Sequence, residues 1–136
     1  MANLIYGKAK EALFNCQINV SSQSLGILLV DSTYTLSQNT HQFVSDISSS
    51  AIKGRSTSLQ NVQSTLGVLD ADDITIVNYP GDAFKAVILY VDTGSDATSR
   101  LIAYIDTATG IPFAGINTEL NITIVWSNDS TKIISL

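Results

Sequence analysis

Histidine, methionine, tryptophan and cysteine each occur once in this chain of 136 residues, and proline occurs twice. A single cysteine, Cys16, leaves no intrachain disulfide, so packing, hydrogen bonds and assembly must supply the stability. An unpaired thiol also fits synthesis in a reducing compartment. Charge is scarce as well: Asp, Glu, Lys and Arg make up 14% of the residues, against about 25% in ordinary soluble domains. Basic charge is the scarcer kind, with seven Lys and Arg against twelve Asp and Glu, a net charge of −5. Lys8, Lys10, Lys53, Arg55, Lys85, Arg100 and Lys132 are scattered and group at most in pairs. A phosphate-binding surface needs clustered Lys and Arg. Neither a nucleic acid nor an anionic membrane is therefore an expected partner.

Long apolar runs are missing too. The longest, residues 86–91 and 122–126, are far short of the roughly 20 residues a bilayer span needs. Residues 1–14 carry Lys8, Lys10 and Glu11 inside their apolar segment, which is not the basic-then-apolar order of a signal peptide. Three Asn-X-Ser/Thr sequons, at Asn19, Asn121 and Asn128, are expected by chance in a chain this rich in Asn, Ser and Thr.

What is present is apolar and hydroxylated. Hydrophobic residues reach 45%, mean hydropathy is +0.23, and about thirty residues are Ser or Thr. That is enough for one core, and residues 1–136 are expected to form a single β-rich domain. Residues 1–15 read as an N-terminal helix. Leu4, Ile5, Ala9, Ala12, Leu13 and Phe14 recur at spacings of three and four. Asn3 is the candidate N-cap and Asn15 the candidate left-handed end. Gly7 weakens such a helix but allows a close approach to a neighbouring backbone.

After Cys16 the pattern changes to strands. Residues 25–30 are an unbroken apolar run, as in a strand buried on both faces. Residues 31–40 are polar and aperiodic apart from Tyr34 and Leu36, and read as an excursion. Residues 41–47 suit one helical turn with Phe43, Val44 and Ile47 inward. Residues 52–68 are poorly patterned, with two strands joined by a turn as the expectation. Asp70, Asp72 and Asp73 form an acidic turn, and a strand with Ile74, Ile76 and Val77 ends at Tyr79-Pro80-Gly81. Residues 84–92 and 100–106 flank a turn-rich loop and read as an antiparallel hairpin. Leu120, Ile122, Ile124 and Trp126 alternate with polar neighbours along a strand. A turn at Asn128-Asp129 and a last strand over 132–136 follow. About eight short strands and no β-α-β alternation predict a mainly β fold, an antiparallel β-sandwich or barrel-like (jelly-roll-like) domain with one N-terminal helix.

The reactive inventory is thin. His41 has Ser45 and Asp46 near it, but any short helical turn gives that spacing, and a solvated or capping imidazole is the expectation. No nucleophile signature surrounds Cys16. The acidic turn lacks the alternation of a calcium loop, and its carboxylates are expected to accept backbone N–H groups. No Gly-rich phosphate loop occurs. Tyr34, in a polar loop, is the best candidate for an exposed aromatic, while Tyr90, Tyr104 and Trp126 are expected in the core. No catalytic, cofactor-binding or metal-ligating residue is expected, and the chain does not read as an enzyme.

Several segments are familiar in sequence. Asn3-Leu-Ile-Tyr-Gly-Lys-Ala-Lys-Glu-Ala-Leu opens the chain. His41-Gln-Phe-Val-Ser-Asp-Ile, Gly67-Val-Leu-Asp-Ala-Asp-Asp-Ile-Thr, Tyr90-Val-Asp-Thr and Ser99-Arg-Leu-Ile-Ala-Tyr-Ile-Asp-Thr follow, and a terminal Ile-Val-Trp-Ser-Asn-Asp-Ser-Thr-Lys-Ile block comes last. In this order they resemble short structural proteins encoded in the virion-morphogenesis regions of tailed bacteriophages. Such proteins usually have Gly after Asn15, where this chain has Cys16. The resemblance implies a non-enzymatic virion component, above all a capsid decoration or cement protein on the head lattice. Its partner would be the major capsid protein or another virion protein, and its location the capsid surface after synthesis in the host cytoplasm. A tail, neck or fibre-base protein is the alternative within the particle, and a carbohydrate-binding β-sandwich module the alternative of another class. Weakly guarded β edges add the expectation of a homo-oligomer, trimer or dimer. The expected interface residues are Leu4, Ile5 and Tyr6 in the first segment, and Tyr34 and Leu36 in the excursion.

Overall fold

The computed structural model describes residues 3–127 and 132–135. The turn expected at Asn128-Asp129, with its sequon, and the terminal Leu136 lie outside the described residues. In chain order the first elements are β1 (Leu4–Ile5), α1 (Gly7–Phe14), β2 (Ser24–Val30) and β3 (Ile52–Ser56). Next come β4 (Gln63–Thr65), β5 (Val68–Asp70), β6 (Ile74–Tyr79) and β7 (Ala86–Asp92). The last are β8 (Leu101–Ile105), β9 (Leu120–Ile124) and β10 (Ile134–Ser135). Two short 3-10 turns, Val44–Asp46 and Ser49–Ala51, precede β3. The fold is mainly β and antiparallel with one short helix near its N-terminus, as the sequence predicts.

The strands form three sheets, in the orders β1-β8-β7-β2-β3, β10-β5-β4 and β6-β9. The five-stranded sheet holds the core. β2 pairs with β7 in unbroken register from Ser24↔Asp92 to Val30↔Ala86, and both strands are buried on both faces. That is why 25–30 and 86–91 carry no polar alternation. Gly26 lies opposite Tyr90. A Cβ there would stand 2.3 Å from the Ser56 carbonyl oxygen and 2.8 Å from the Tyr90 ring, so only glycine fits.

Different layers cover the two faces of this sheet. Leu28, Ile88 and Tyr104 are cross-strand neighbours on one face. There the Tyr104 ring meets the Tyr34 ring at 6.2 Å, and α1 packs against β8. Leu29, Val87 and Ile105 share the other face, which looks towards the β6–β9 ribbon. Tyr79 of β6 closes over Gly54 of β3, where a Cβ would sit only 3.0 Å from the tyrosine ring.

The first segment departs from expectation. The helix begins at Gly7, behind a Tyr6 N-cap that makes no side-chain capping bond. Leu4 and Ile5 instead pair with Tyr104 and Ala103 as an edge strand. Asn3 is not the cap: its Oδ1 accepts the backbone N–H groups of Asp106 and Thr107, both at 3.0 Å. Partners a hundred residues away outcompete local helix formation for these three residues. Gly7 does permit a close approach, since its N–H donates to the Gln38 carbonyl at 2.8 Å and a Cβ would stand 2.7 Å from Asn39 Oδ1.

The helix ends at Asn15, but the left-handed residue is Cys16, at φ +58°. The Cys16 N–H donates to the Leu13 carbonyl and the Gln17 N–H to the Ala12 carbonyl, the bond pair of a Schellman motif. Cysteine thus occupies the position that glycine fills at least strain.

Candidate functional site

The residues expected at an interface separate into two groups. Tyr6 is fully buried and Tyr34 is 4% exposed. Leu4, Ile5 and Leu36 are half-buried. The polar loop around Tyr34 predicts an exposed ring, and the structure corrects this. The excursion folds back over the sheet and puts the Tyr34 ring between His41, at 5.5 Å, and Tyr104, at 6.2 Å. The Tyr34–Leu36 spacing was the one apolar signal in that segment, and it marked the residues that return to the core. A buried ring offers no face for stacking a sugar.

Tyr6, Tyr34 and His41 form a short polar chain inside this layer. The two hydroxyls are 2.9 Å apart, and the Tyr34 hydroxyl lies 2.8 Å from His41 Nδ1. With Nδ1 as the acceptor, Tyr34 donates to His41 and Tyr6 donates to Tyr34, so both buried protons are satisfied. Burial pushes the Tyr34 phenol up to about 12, although its bond with Tyr6 works the other way. Burial, then Tyr34, raises Tyr6 further still. Lys85 donates to the Tyr34 carbonyl and sits over its ring.

This arrangement does not assemble a Ser–His–Asp site. His41 Nδ1 is held by Tyr34, not by a carboxylate. One Asp46 oxygen accepts the backbone N–H groups of Gln42, at 2.7 Å, and Phe43, at 2.9 Å. Partial burial raises the Asp46 carboxyl, but those two bonds and the nearby His41 outweigh it, and the group ends below its ordinary value. Asp31 is also lowered, chiefly by the Thr33 hydroxyl and further by the Thr33 N–H and Lys53, against a smaller effect of burial.

The acidic turn serves as a clasp for β9. Asp73 accepts the Trp126 backbone N–H at 2.9 Å, and the Asp72 carbonyl accepts the indole N–H at 3.1 Å. The Asp72 carboxylate is held by the Asn61 amide at 2.6 Å. Trp126 is 7% exposed and continues inward the alternation of Leu120, Ile122 and Ile124, as its spacing predicts. The basic residues are mostly spent within the fold. Lys8 pairs with Glu11, Lys53 with Asp31 and Arg55 with Asp96, while Arg100 lies over the Phe43 ring.

The surface features are apolar and edge-like. Phe14, Leu66, Val77, Ile116 and Val125 are exposed large hydrophobics. Both strands of the β6–β9 ribbon have one strand neighbour among the described residues. A groove of about 760 Å³ runs along β9, with Val87, Ile105, Phe113, Ile122, Ile124 and Trp126 among its walls. Sequence reading did not single out Leu66 or this groove. Leu66-Gly67 lacks the Asn or Asp that usually announces a hairpin turn, and a groove between non-adjacent segments leaves no local signature. No family model matches this chain, and no curated protein matches it.

Proposed function

We propose that this chain is a non-enzymatic structural protein of a tailed-phage virion, acting as a decoration or cement protein on the capsid surface, with the major capsid protein as partner. Resemblance over nearly the whole chain motivates this reading. The observation that carries it is a set of charge-poor strand edges, open among the described residues, together with exposed apolar side chains, foremost Leu66 in the β4–β5 turn and Val125 just past the end of β9. Low charge and few Lys gatekeepers leave such edges free to add to a neighbour's sheet. Contacts of this kind are apolar and backbone-mediated, because a chain of net charge −5 with seven scattered basic residues, three of them in ion pairs, grips an acidic partner poorly. The half-buried Leu4, Ile5 and Leu36 belong to the proposed capsid-facing surface.

The decisive measurement is the stoichiometry of the protein in purified particles. On the order of hundreds of copies supports cement, and about six or twelve moves the protein to the neck or fibre base. Absence from the particle overturns the reading. Binding by burial should also survive about 1 M salt, where the screening length is only about 3 Å. Release between low and moderate salt would show that ion pairs hold it instead.

A further inference from the structure

Tyr6, Tyr34 and His41 are joined by two hydrogen-bond links, hydroxyl to hydroxyl at 2.9 Å and the Tyr34 hydroxyl to His41 Nδ1 at 2.8 Å. Two hydroxyl protons are there to fill them. The three atoms make no other hydrogen bond among the described residues. The count therefore closes only while Nδ1 carries no proton, with Tyr6 donating to Tyr34 and Tyr34 to His41. A proton on Nδ1 makes three donors for two links. One of them is left without an acceptor, at a place where Tyr6 is fully buried and Tyr34 is 4% exposed.

The surroundings do not repair that surplus. His41 is half-buried and Asp46, on the turn that follows it, is exposed. A charged ring and the Asp46 carboxylate attract each other. If the ring turns from Tyr34 towards Asp46, however, the two hydroxyls share a single link, and one buried proton again lacks an acceptor. Tyr104 of β8 meets the Tyr34 ring edge-on or tilted and offers it no bond. Lys85, ahead of β7, sits over the Tyr34 ring, and Arg100, ahead of β8, lies over the Phe43 ring. Both are cations and oppose a further positive charge. Water screens the pull of the exposed Asp46, whereas the loss of a bond in the interior is not screened.

We propose that this chain of bonds is an acid-sensitive latch, closed while His41 is neutral and released when its ring takes up a proton. What it holds is the excursion over residues 31–40. Tyr34 is the buried anchor of that segment, and the Gly7 N–H ties its far end through the Gln38 carbonyl at 2.8 Å. The sign follows from counting protons. A solvated imidazole binds a proton near pH 6.5, and the closed latch has no bond to give it. Below that pH the open form holds more protons, so the closed form loses about tenfold in population for each further unit of acid. Closure is therefore complete above about pH 6.5 and weakens as the pH falls. His41 is the only histidine of the chain, and histidine is the side chain whose charge ordinarily changes between about pH 7 and 5.5. The latch is a property of this chain by itself and stands apart from the virion reading.

The test is amide hydrogen exchange of the full chain at about pH 7.5 and 5.5, corrected for the intrinsic pH dependence of exchange. The reporters are the Gly7 and His41 amides, which bond the Gln38 and Ser37 carbonyls. Their protection should fall about tenfold at the lower pH, while the amides of β2 and β7 keep theirs. His41→Asn puts a carbonyl oxygen that takes no proton near the place of Nδ1, and protection should then be the same at both pH values. Tyr34→Phe cuts both links. It should lower protection already at neutral pH and leave no further loss in acid, and it decides the matter if the shorter asparagine does not reach Tyr34. Equal protection of the wild type at the two pH values would overturn the proposal. So would a loss spread evenly over β2 and β7, or a tenfold loss that persists in Tyr34→Phe.

Discussion

The β2–β7 pair and the β6–β9 pair are both antiparallel two-strand units made largely of Ile, Val, Leu and Thr, yet they live in different solvents. Every residue of β2 after Ser24 is buried, and so is every residue of β7 before Asp92. Along β9 inward and outward residues alternate strictly, and β6 alternates until a register shift after Ile76. The outward Thr75 and Thr123 bond each other across the ribbon at 2.9 Å. Backbone pairing is common to both. Layers on both faces make the first pair a core, and a layer on one face leaves the second pair a surface with edges to offer. Stability should therefore concentrate in one pair and association in the other.

The largest test of that division is truncation. Leu28→Ala or Ile88→Ala in the central pair should cost about 2–5 kcal/mol in denaturant unfolding. Ile122→Ala, half-buried in the ribbon, should cost less than half as much. Equal losses would break the comparison. Trp126→Ala should cost about 3–5 kcal/mol, because it empties a buried ring site and removes the indole bond of the clasp, while the backbone bond to Asp73 stays.

Alkali should act almost wholly on the buried side. All five tyrosines are raised, Tyr34, Tyr79 and Tyr90 to about 12, and burial is the first cause in each. An unfolded tyrosine ionises near 10. Stability from these groups is full below that value and falls as pH rises through 10 towards 12, because the unfolded chain loses the protons first. A spectroscopic titration should show phenolates appearing together as the protein unfolds. A tyrosine titrating independently near pH 10 in the folded state would contradict the packing.

A smaller pair of substitutions sharpens the contrast within the core. Tyr34→Phe removes the acceptor of Tyr6 and the partner of His41, and should cost about 1–3 kcal/mol. Tyr90 is fully buried, and its hydroxyl has no hydrogen-bond partner among the described residues. Tyr90→Phe should therefore be neutral or stabilising by up to about 1 kcal/mol. Thermal melts of the two variants should move in opposite directions or differ clearly. The smallest effect is expected at the helix end, where Cys16→Gly relieves the left-handed strain and should add about 0.5–1 kcal/mol.

Legibility followed the range of the interactions. The buried strand at 25–30, the hairpin of β7 and β8, and the inward row ending at Trp126 were all written in local apolar patterns. The inward turn carrying Val44 and Ile47 was too, and so was the close approach at Gly7. The start of the helix was not, because Asn3, Leu4 and Ile5 satisfy a helical pattern and an edge strand equally. Their pairing with residues 103–107 decided between the two. The candidate site was the least legible part. Tyr34 looked exposed because its neighbours are polar, and Leu66 looked ordinary because only its backbone angle and full exposure single it out.

By itself, then, the sequence determined the β class, the position of most strands and the scarcity of cations. These follow from alternation, from runs of apolar residues and from counting, and each is set by neighbours within a few positions. The tertiary structure alone decided the division into three sheets, the burial of Tyr6 and Tyr34 around His41, the left-handed Cys16 and the slot beside β9. Those depend on which strands, far apart in the chain, share an edge or a face. Local propensity is nearly degenerate among such choices, and the free energy of burying one particular pair of surfaces selects among them.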